Sequence, residues 1–390
     1  MLAAESSRLL GGLTPREFLK QHWQKRPLLI RGAFPDILPP LSAAELAGLA
    51  CEDGVEARLV TQTRKAPGWK LRHGPFQKKD FKTLPKRGWT LLVQDVDKYV
   101  PAVSALLDRF RFIPDWRIDD VMVSYAADGG GVGPHVDAYD VFLLQVEGMR
   151  RWDISSQPQA EHTAPGLELK QVKPFAPEES WLLMPGDMLY LPPGVAHHGV
   201  ALGECMTCSI GFRAPTQHEM LADFAALLVE GADIGLRYAD PDLLPAANAG
   251  ELSLEARARA RQMLRAQLKP SDEALDIWFG RFMTEPKPWL RPVPPSRRSS
   301  GAKVREMLER GRGLRWHPAV RLAWFSVRQA CHLFVDGKHY PLPERLTGFA
   351  ELMGESRTLD AARVSRHAGD PALQALLLEW IDTGQLEWRR

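Results

Sequence analysis

The stretch "PGDMLYLPPGVAHHG", Pro185 to Gly199, sets the architecture by its spacing. Gly186 is followed by five residues, then Pro192, one residue, Gly194, two residues and His197. A tight Pro-Gly-Asp turn feeds a short β-prone run, and a Pro-Pro-Gly bend ends it. The next run delivers a histidine across the mouth of a β-structure. His197 and His198 are neighbours, and extended backbone sends their rings to opposite faces. The spacing selects His197.

That spacing matches the second cupin motif, and the chain upstream supplies what such a site needs. "GGGVGPHVDAYD", Gly129 to Asp140, places His135 and Asp137 two residues apart behind a loop with four glycines in five positions. In extended backbone both side chains share one face. With His197 they make two imidazoles and one carboxylate, the facial set of non-haem Fe(II) oxygenases. The glycines allow a tight loop beside the metal and leave room for substrate and dioxygen. Residues from about 115 to 213 break into short β-prone runs separated by Gly, Pro and Asp, as in a sandwich or barrel-like jelly roll. "YDVFLLQVEG" and "RRWDIS" read as two separate strands.

An open iron needs a co-substrate that delivers two electrons. 2-Oxoglutarate chelates through its keto acid and leaves a distal carboxylate, which a bidentate arginine holds best. In "MRRWDI", Arg150 shares a face with Trp152 and Ile154, so it points inward, while Arg151 sides with Asp153 and solvent. An unpaired buried guanidinium is costly, and a carboxylate ligand resolves the cost. Ser124 and Ser209, on strands of the same region, are candidate hydrogen-bond partners of the co-substrate. Asp119, Asp120 and Asp140 are candidate carboxylates beside the pocket, each also readable as a structural turn or cap residue. "CMTC" (Cys205, Cys208) puts its sulfurs on opposite faces of a strand and predicts neither zinc nor a disulfide.

The bulk numbers agree. A chain of 390 residues, 45% apolar, can bury two or three cores. Four cysteines form no disulfide framework, so a cytoplasmic location is expected. "MLAAESSRLLGGL" lacks a cationic lead and apolar block, and no apolar run is long enough to span a membrane. "LTPREFLKQHW" opens a helix, with Thr14 as cap, Pro15 at the first position and Glu17 closing a capping box. Beyond Pro215 the texture turns helical, with Met220, Leu221, Phe224, Leu227 and Leu228 at helical spacing. "EPKPWLRPVPPSRRSSG" reads as a linker, and "CHLFVDGKHYPL" carries an Asp336-Gly337 hairpin signal.

"WRIDDVMVSYAADGGGVGPHVDAYDVFLLQVEGMRRW", "PGDMLYLPPGVAHHG" and "SIGFRAP" together resemble the JmjC-type bacterial ribosomal oxygenases. The resemblance implies an α+β chain: a double-stranded β-helix (cupin, jelly-roll) JmjC domain, a helical dimerisation region and a C-terminal winged-helix-like module. The expected boundaries are 1–215 (core about 95–215), 216–290 and 291–390. It implies Fe(II) and 2-oxoglutarate as cofactor and co-substrate, with His135, Asp137 and His197 on iron and Arg150 and Ser124 on 2-oxoglutarate. The implied reaction is 3-hydroxylation of an arginine in large-subunit ribosomal protein sixteen. A homodimer through the helical region is expected.

Two other readings stand beside it. One is a different metal-dependent cupin enzyme without 2-oxoglutarate, which the inward Arg150 argues against. The other is a nucleic-acid-binding regulator. Residues 291–330 hold ten Lys/Arg against two acids, an excess that suits a phosphate backbone and also fits contact with ribosomal RNA.

Overall fold

The computed structural model describes residues 8–63, 68–157, 161–163, 170–245, 250, 252–268, 270–328, 330–367 and 369–389. Residues 1–7, on which part of the leader reading rests, lie outside them. The chain forms two compact units, one of Met1–Ala214, Pro286–Val320 and Glu355–Arg390, the other of Pro215–Glu285 and Arg321–Gly354. No helix among the described residues is long and apolar enough to cross a membrane.

Among the described residues, the stretch of the first unit before Ala214 holds twelve strands: β1 (Leu28–Ile30), β2 (Ala57–Gln62), β3 (Trp69–His73), β4 (Trp89–Val93), β5 (Ile118–Ala126), β6 (His135–Val136), β7 (Val141–Ser155), β8 (Glu161–Thr163), β9 (Lys170–Val172), β10 (Glu179–Leu183), β11 (Met188–Leu191) and β12 (Ala196–Phe212). The main sheet runs β1-β11-β7-β12-β5-β4-β2-β3, with β10 also on β7 and β6 also on β12. The partners of β7 change along its length: Val141 to Leu144 face β11, and Arg150 to Ile154 face β10. One continuous strand therefore serves two walls of a jelly roll.

This corrects the reading of "YDVFLLQVEG" and "RRWDIS" as separate strands. Gly148, at φ +62°, takes the corner, where a Cβ would lie 2.1 Å from the Glu204 carbonyl oxygen. Across the corner the inward parity changes. Phe142, Leu144 and Val146 pack outside with Phe18 and Tyr190, while Val141 and Leu143 join Trp152 and Ile154 within. Odd positions face in before the corner and even ones after it, so Gln145 and Arg150 meet on the inside.

The outer layer is seated by the N-terminal helix Pro15–Gln21. Its capping box is present: Thr14 Oγ1 accepts from the Glu17 amide at 3.2 Å, and the Thr14 amide donates to Glu17 at 2.8 Å. Later in this unit, the strands Leu314–Trp316, Thr358–Leu359 and Leu386–Trp388 form a small sheet beside the helix Pro371–Asp382. The second unit holds the helices Gln217–Glu230, Leu254–Gln267 and Asp272–Thr284 and a sheet of Leu322–Val327, Ala330–Val335 and Lys338–Pro343. Asp336 (φ 49°) and Gly337 (φ 78°) make its two-residue turn, as the hairpin signal predicts.

Candidate active site

β6 lies against β12 with His135 directly opposite His197, and their ring centroids are 4.2 Å apart. Asp137 follows β6 and reaches both: its carboxylate is 3.9 Å from His135 Nε2 and 3.6 Å from His197 Nε2. Among the described residues this is the one group of three or more His, Cys, Asp or Glu side chains arranged to hold a metal ion. Each ring turns its Nδ1 to a carbonyl, His135 to Gly133 and His197 to Val195, both at 3.0 Å. A carbonyl only accepts, so Nδ1 carries the proton and Nε2 presents its lone pair. Burial, helped by His135, pulls the His197 pKa down to about 4. It is neutral at physiological pH, as a ligand must be.

The glycine loop owes its composition to close backbone approach. A Cβ on Gly130 would lie 2.2 Å from the Trp89 carbonyl oxygen, and one on Gly131 would lie 2.4 Å from that of Gly199. Only glycine passes between β4 and β12 there. His198 faces away, opposite Asp153 on β7 and edge-on to Phe175.

The trio opens into a cavity of about 480 Å³ that Arg150, Ser124 and Ser209 also line. Arg150 is 5% exposed and stacks over Trp152 at 5.4 Å. Its Nη1 donates to Ser124 Oγ and Thr207 Oγ1, both at 3.2 Å, while Nε has no hydrogen-bond partner. No carboxylate pairs with it among the described residues. Burial lowers its pKa from the guanidinium range. Behind it, Thr207 donates to Gln145 Oε1 at 2.9 Å, and Gln145 Nε2 donates to the Glu147 carbonyl at 2.7 Å. An amide oxygen only accepts, so the Thr207 hydroxyl proton points to Gln145 and its lone pairs are left for Arg150.

Asp119 and Asp120 also line the cavity, and Asp140 does not. Asp140 takes the structural alternative. It is fully buried, accepts from Tyr190 at 2.5 Å and Gln24 at 3.0 Å, and ties the N-terminal layer to the sheet. Asp120 is pushed up to about 7 by burial, reinforced by Asp95, Asp119 and Asp97 and opposed by Lys287. Lys287 Nζ sits 2.7 Å from Asp95 and 3.5 Å from Asp119. Burial works against that ammonium, but Asp120, Asp119 and Asp95 outweigh it and raise its pKa.

Thr207, Gln145 and Lys287 are the site residues that the sequence reading misses. The first two follow only from strand register. Lys287 belongs to the stretch read as a linker, although Pro286 and Pro288 on either side are a signal for rigidly presented backbone. Cys205 and Cys208 are buried in different clusters as free thiols, and burial pushes Cys208 up to about 12.

The comparisons with known proteins agree with this geometry. The JmjC domain family profile matches residues 105–220, and the ROXA-like winged helix profile matches 263–387. The ribosomal protein uL16 3-hydroxylase of Escherichia coli (strain K12) is 36% identical over 94% of this chain and 96% of its own length. The X-ray structure of E. coli YcfD superposes with a TM-score of 0.84 at 34% identity, covering 97% of this chain and 98% of that one. The structure of YcfD, a ribosomal oxygenase from E. coli, in complex with cobalt and 2-oxoglutarate gives a TM-score of 0.82 at 34% identity, covering 97% and 99%. Near end-to-end identity at this level, on a matching JmjC core and winged helix, is a family relationship rather than a shared barrel. The chain belongs to the JmjC-domain ribosomal oxygenases.

Proposed function

We propose that this protein is an Fe(II)- and 2-oxoglutarate-dependent hydroxylase acting on an arginine of ribosomal protein uL16. The observation that carries the reading is one cavity holding both a two-histidine, one-carboxylate cluster and a buried arginine without a carboxylate partner. The donor set suits Fe(II), and the orphaned guanidinium suits a dicarboxylate. The E. coli relative is named a uL16 3-hydroxylase, and its family has been captured with cobalt and 2-oxoglutarate.

His135, Asp137 and His197 would hold the iron, and Arg150 with Ser124 would hold the distal carboxylate of 2-oxoglutarate. Ser209 lines the same cavity and would contact the co-substrate or the substrate backbone. Bound iron would activate dioxygen, with 2-oxoglutarate supplying two of the four electrons that reduce it and the substrate C–H bond supplying the other two as it becomes an alcohol. The chain's own work is placement. The carbonyls of Gly133 and Val195 lock the imidazole orientations, and the apolar wall of Val141, Leu143 and Trp152 keeps bulk water from the reacting carbon. Asp119 and Asp120 would receive the substrate guanidinium, with Lys287 setting the charge of that wall.

Release of succinate from 2-oxoglutarate that rises on adding a uL16 peptide, and falls when its arginine is replaced by lysine, tests the reading. No succinate release, with or without the peptide, would favour the metal-dependent cupin enzyme without 2-oxoglutarate. A further result is expected from the relay behind Arg150. Thr207→Val removes one hydrogen bond to a charged group, about 1.5–3 kcal/mol, so the apparent 2-oxoglutarate constant should rise by about tenfold or more. The peptide KM should stay put and Thr207→Ser should restore the constant. An unchanged constant in Thr207→Val would remove the relay from the site.

We also propose a homodimer through residues 216–285. The helix Gln217–Glu230 has no buried residue, and Leu221, Val229, Leu254 and Leu264 are exposed at 59%, 73%, 61% and 69%. The helix half-buries Phe224 against Trp278 but leaves Leu221 and Val229 exposed, and such an apolar face calls for a partner surface. Light scattering of the intact chain at micromolar concentration should give twice the monomer mass; a monomer mass would refute the dimer. A ribosomal substrate places the protein in the cytoplasm. Contact with ribosomal RNA remains part of the proposal, but the run 291–330 is a poor surface for it: Lys303 and Arg310 share Glu306, and Arg315 pairs with Glu387.

A further inference from the structure

A second basic surface lies beside the cavity, in residues 68–88. That stretch holds seven Lys/Arg against one acid, Asp80, an excess of six. The whole chain carries only +2, so everything else is net acidic. The one acid is already committed: Asp80 accepts from Arg72 at 2.6 Å and caps the helix Lys78–Lys82 through the Gln77 amide at 2.8 Å. Arg87 pairs with Asp128 at 3.0 Å. Lys70, Lys78, Lys79, Lys82 and Lys86 are exposed and form no ion pair among the described residues.

These five ammoniums are not on a loose loop. Lys70 is on β3, the terminal strand of the main sheet, and the following segment is anchored by Phe76, 3% exposed and packed edge-on to Phe81. Leu71, between Lys70 and Arg72, lines the cavity, as do Arg58 and Val60 of the neighbouring β2. Lys70 is thus on the outer side of the strand whose inner side walls the site, and Arg72, two residues on, holds the lysine-bearing helix through Asp80. Lys70 alone would serve as a guard against edge-to-edge pairing. Four more lysines beyond the strand have no such duty, and their mutual repulsion is a cost that an anionic partner removes.

We propose that this face engages the phosphate backbone of RNA, so that the enzyme meets its protein substrate next to RNA. The second clause rests on the hydroxylase reading above. A ribosomal protein that binds RNA is itself cationic, so this face would repel it when free. A phosphate backbone lying between the two cationic surfaces reverses the sign. Five unpaired lysines on one rigid segment suit a polyphosphate track, read without base specificity.

The test measures binding of the intact protein to a fluorescently labelled RNA hairpin across about 50 to about 200 mM salt. Five phosphate contacts predict a log–log slope of about −3.5 to −4.5. Lys78→Glu/Lys79→Glu/Lys82→Glu should weaken binding at least about tenfold and make the slope shallower by about two. Arg297→Glu/Arg298→Glu, at exposed positions of the other basic run, should change both little. The triple variant should hydroxylate an isolated peptide like the wild type, which also shows that it is folded. On the same substrate protein bound to RNA it should be at least about tenfold slower. Unchanged RNA affinity and slope in the triple variant would overturn the assignment. So would an equal loss in the Arg297/Arg298 variant, or displacement of the RNA by polyglutamate at equal charge concentration. Were the wild type inactive on the peptide, the hydroxylase reading would fail while the RNA titration still decided this one.

Discussion

His197→Ala is expected to lose iron binding and 2-oxoglutarate turnover together, and His135→Ala likewise. Each ring supplies one of three protein ligands, and each is oriented by its own Nδ1 hydrogen bond to a carbonyl at 3.0 Å. Two remaining ligands hold Fe(II) poorly, and among the described residues no other His, Cys, Asp or Glu side chain joins the cluster. Cobalt titration followed by absorbance reads the site without depending on catalysis. Turnover should drop to background in both variants, and cobalt binding should weaken by about two orders of magnitude or more, since a ligand must count for more than an outer partner. Wild-type cobalt affinity in either variant would mean that the metal is held elsewhere.

Arg150→Ala is expected to raise the apparent 2-oxoglutarate constant by at least about two orders of magnitude, because a bidentate pair contributes two charge-assisted hydrogen bonds of about 1.5–3 kcal/mol each. Arg150 Nη1 is already taken by Ser124 and Thr207, so the carboxylate would meet the Nε and Nη2 edge. Arg150→Lys keeps the charge without that edge and should recover only part of the affinity. Arg151 is exposed and paired with Asp153 at 3.2 Å. Arg151→Ala should therefore change the constant little. Equal effects from the two alanine variants would dissolve the assignment of Arg150 into a general loss of positive charge.

The parts of the site that were legible are those whose geometry is local. His135 and Asp137 share a face through strand periodicity alone, and the glycine and proline spacing before His197 fixes a turn, a strand and a bend. Arg150 was legible because Trp152 and Ile154 mark its face. What failed to show depends on register or on distant chain. Thr207 lies opposite Ser124 on one side and Gln145 on the other only because β12 runs between β5 and β7. The continuity of β7 was hidden because the corner at Gly148 shifts the inward parity, so the alternation reads as two strands. Asp140 follows the metal loop in sequence, and its burial is decided by Tyr190 and Gln24, far away in the chain. Lys287 reads as linker because proline suppresses secondary-structure signals, and the carboxylates that pair with it, Asp95 and Asp119, are far away in the chain. The lysines of 70–86 were visible as charge, but their place beside the cavity required the pairing of β2 with β3.

The central claim is that the cavity hydroxylates an arginine of a large-subunit ribosomal protein. Intact-mass and peptide spectrometry of ribosomal proteins, from cells with and without the gene, tests it most directly. The account predicts that one large-subunit protein, uL16, is heavier by a single oxygen atom on one arginine when the gene is present. The same protein should be unmodified in its absence and in cells carrying His135→Ala. Identical masses for every ribosomal protein in both strains would contradict it, as would a modification that persists in the His135→Ala strain.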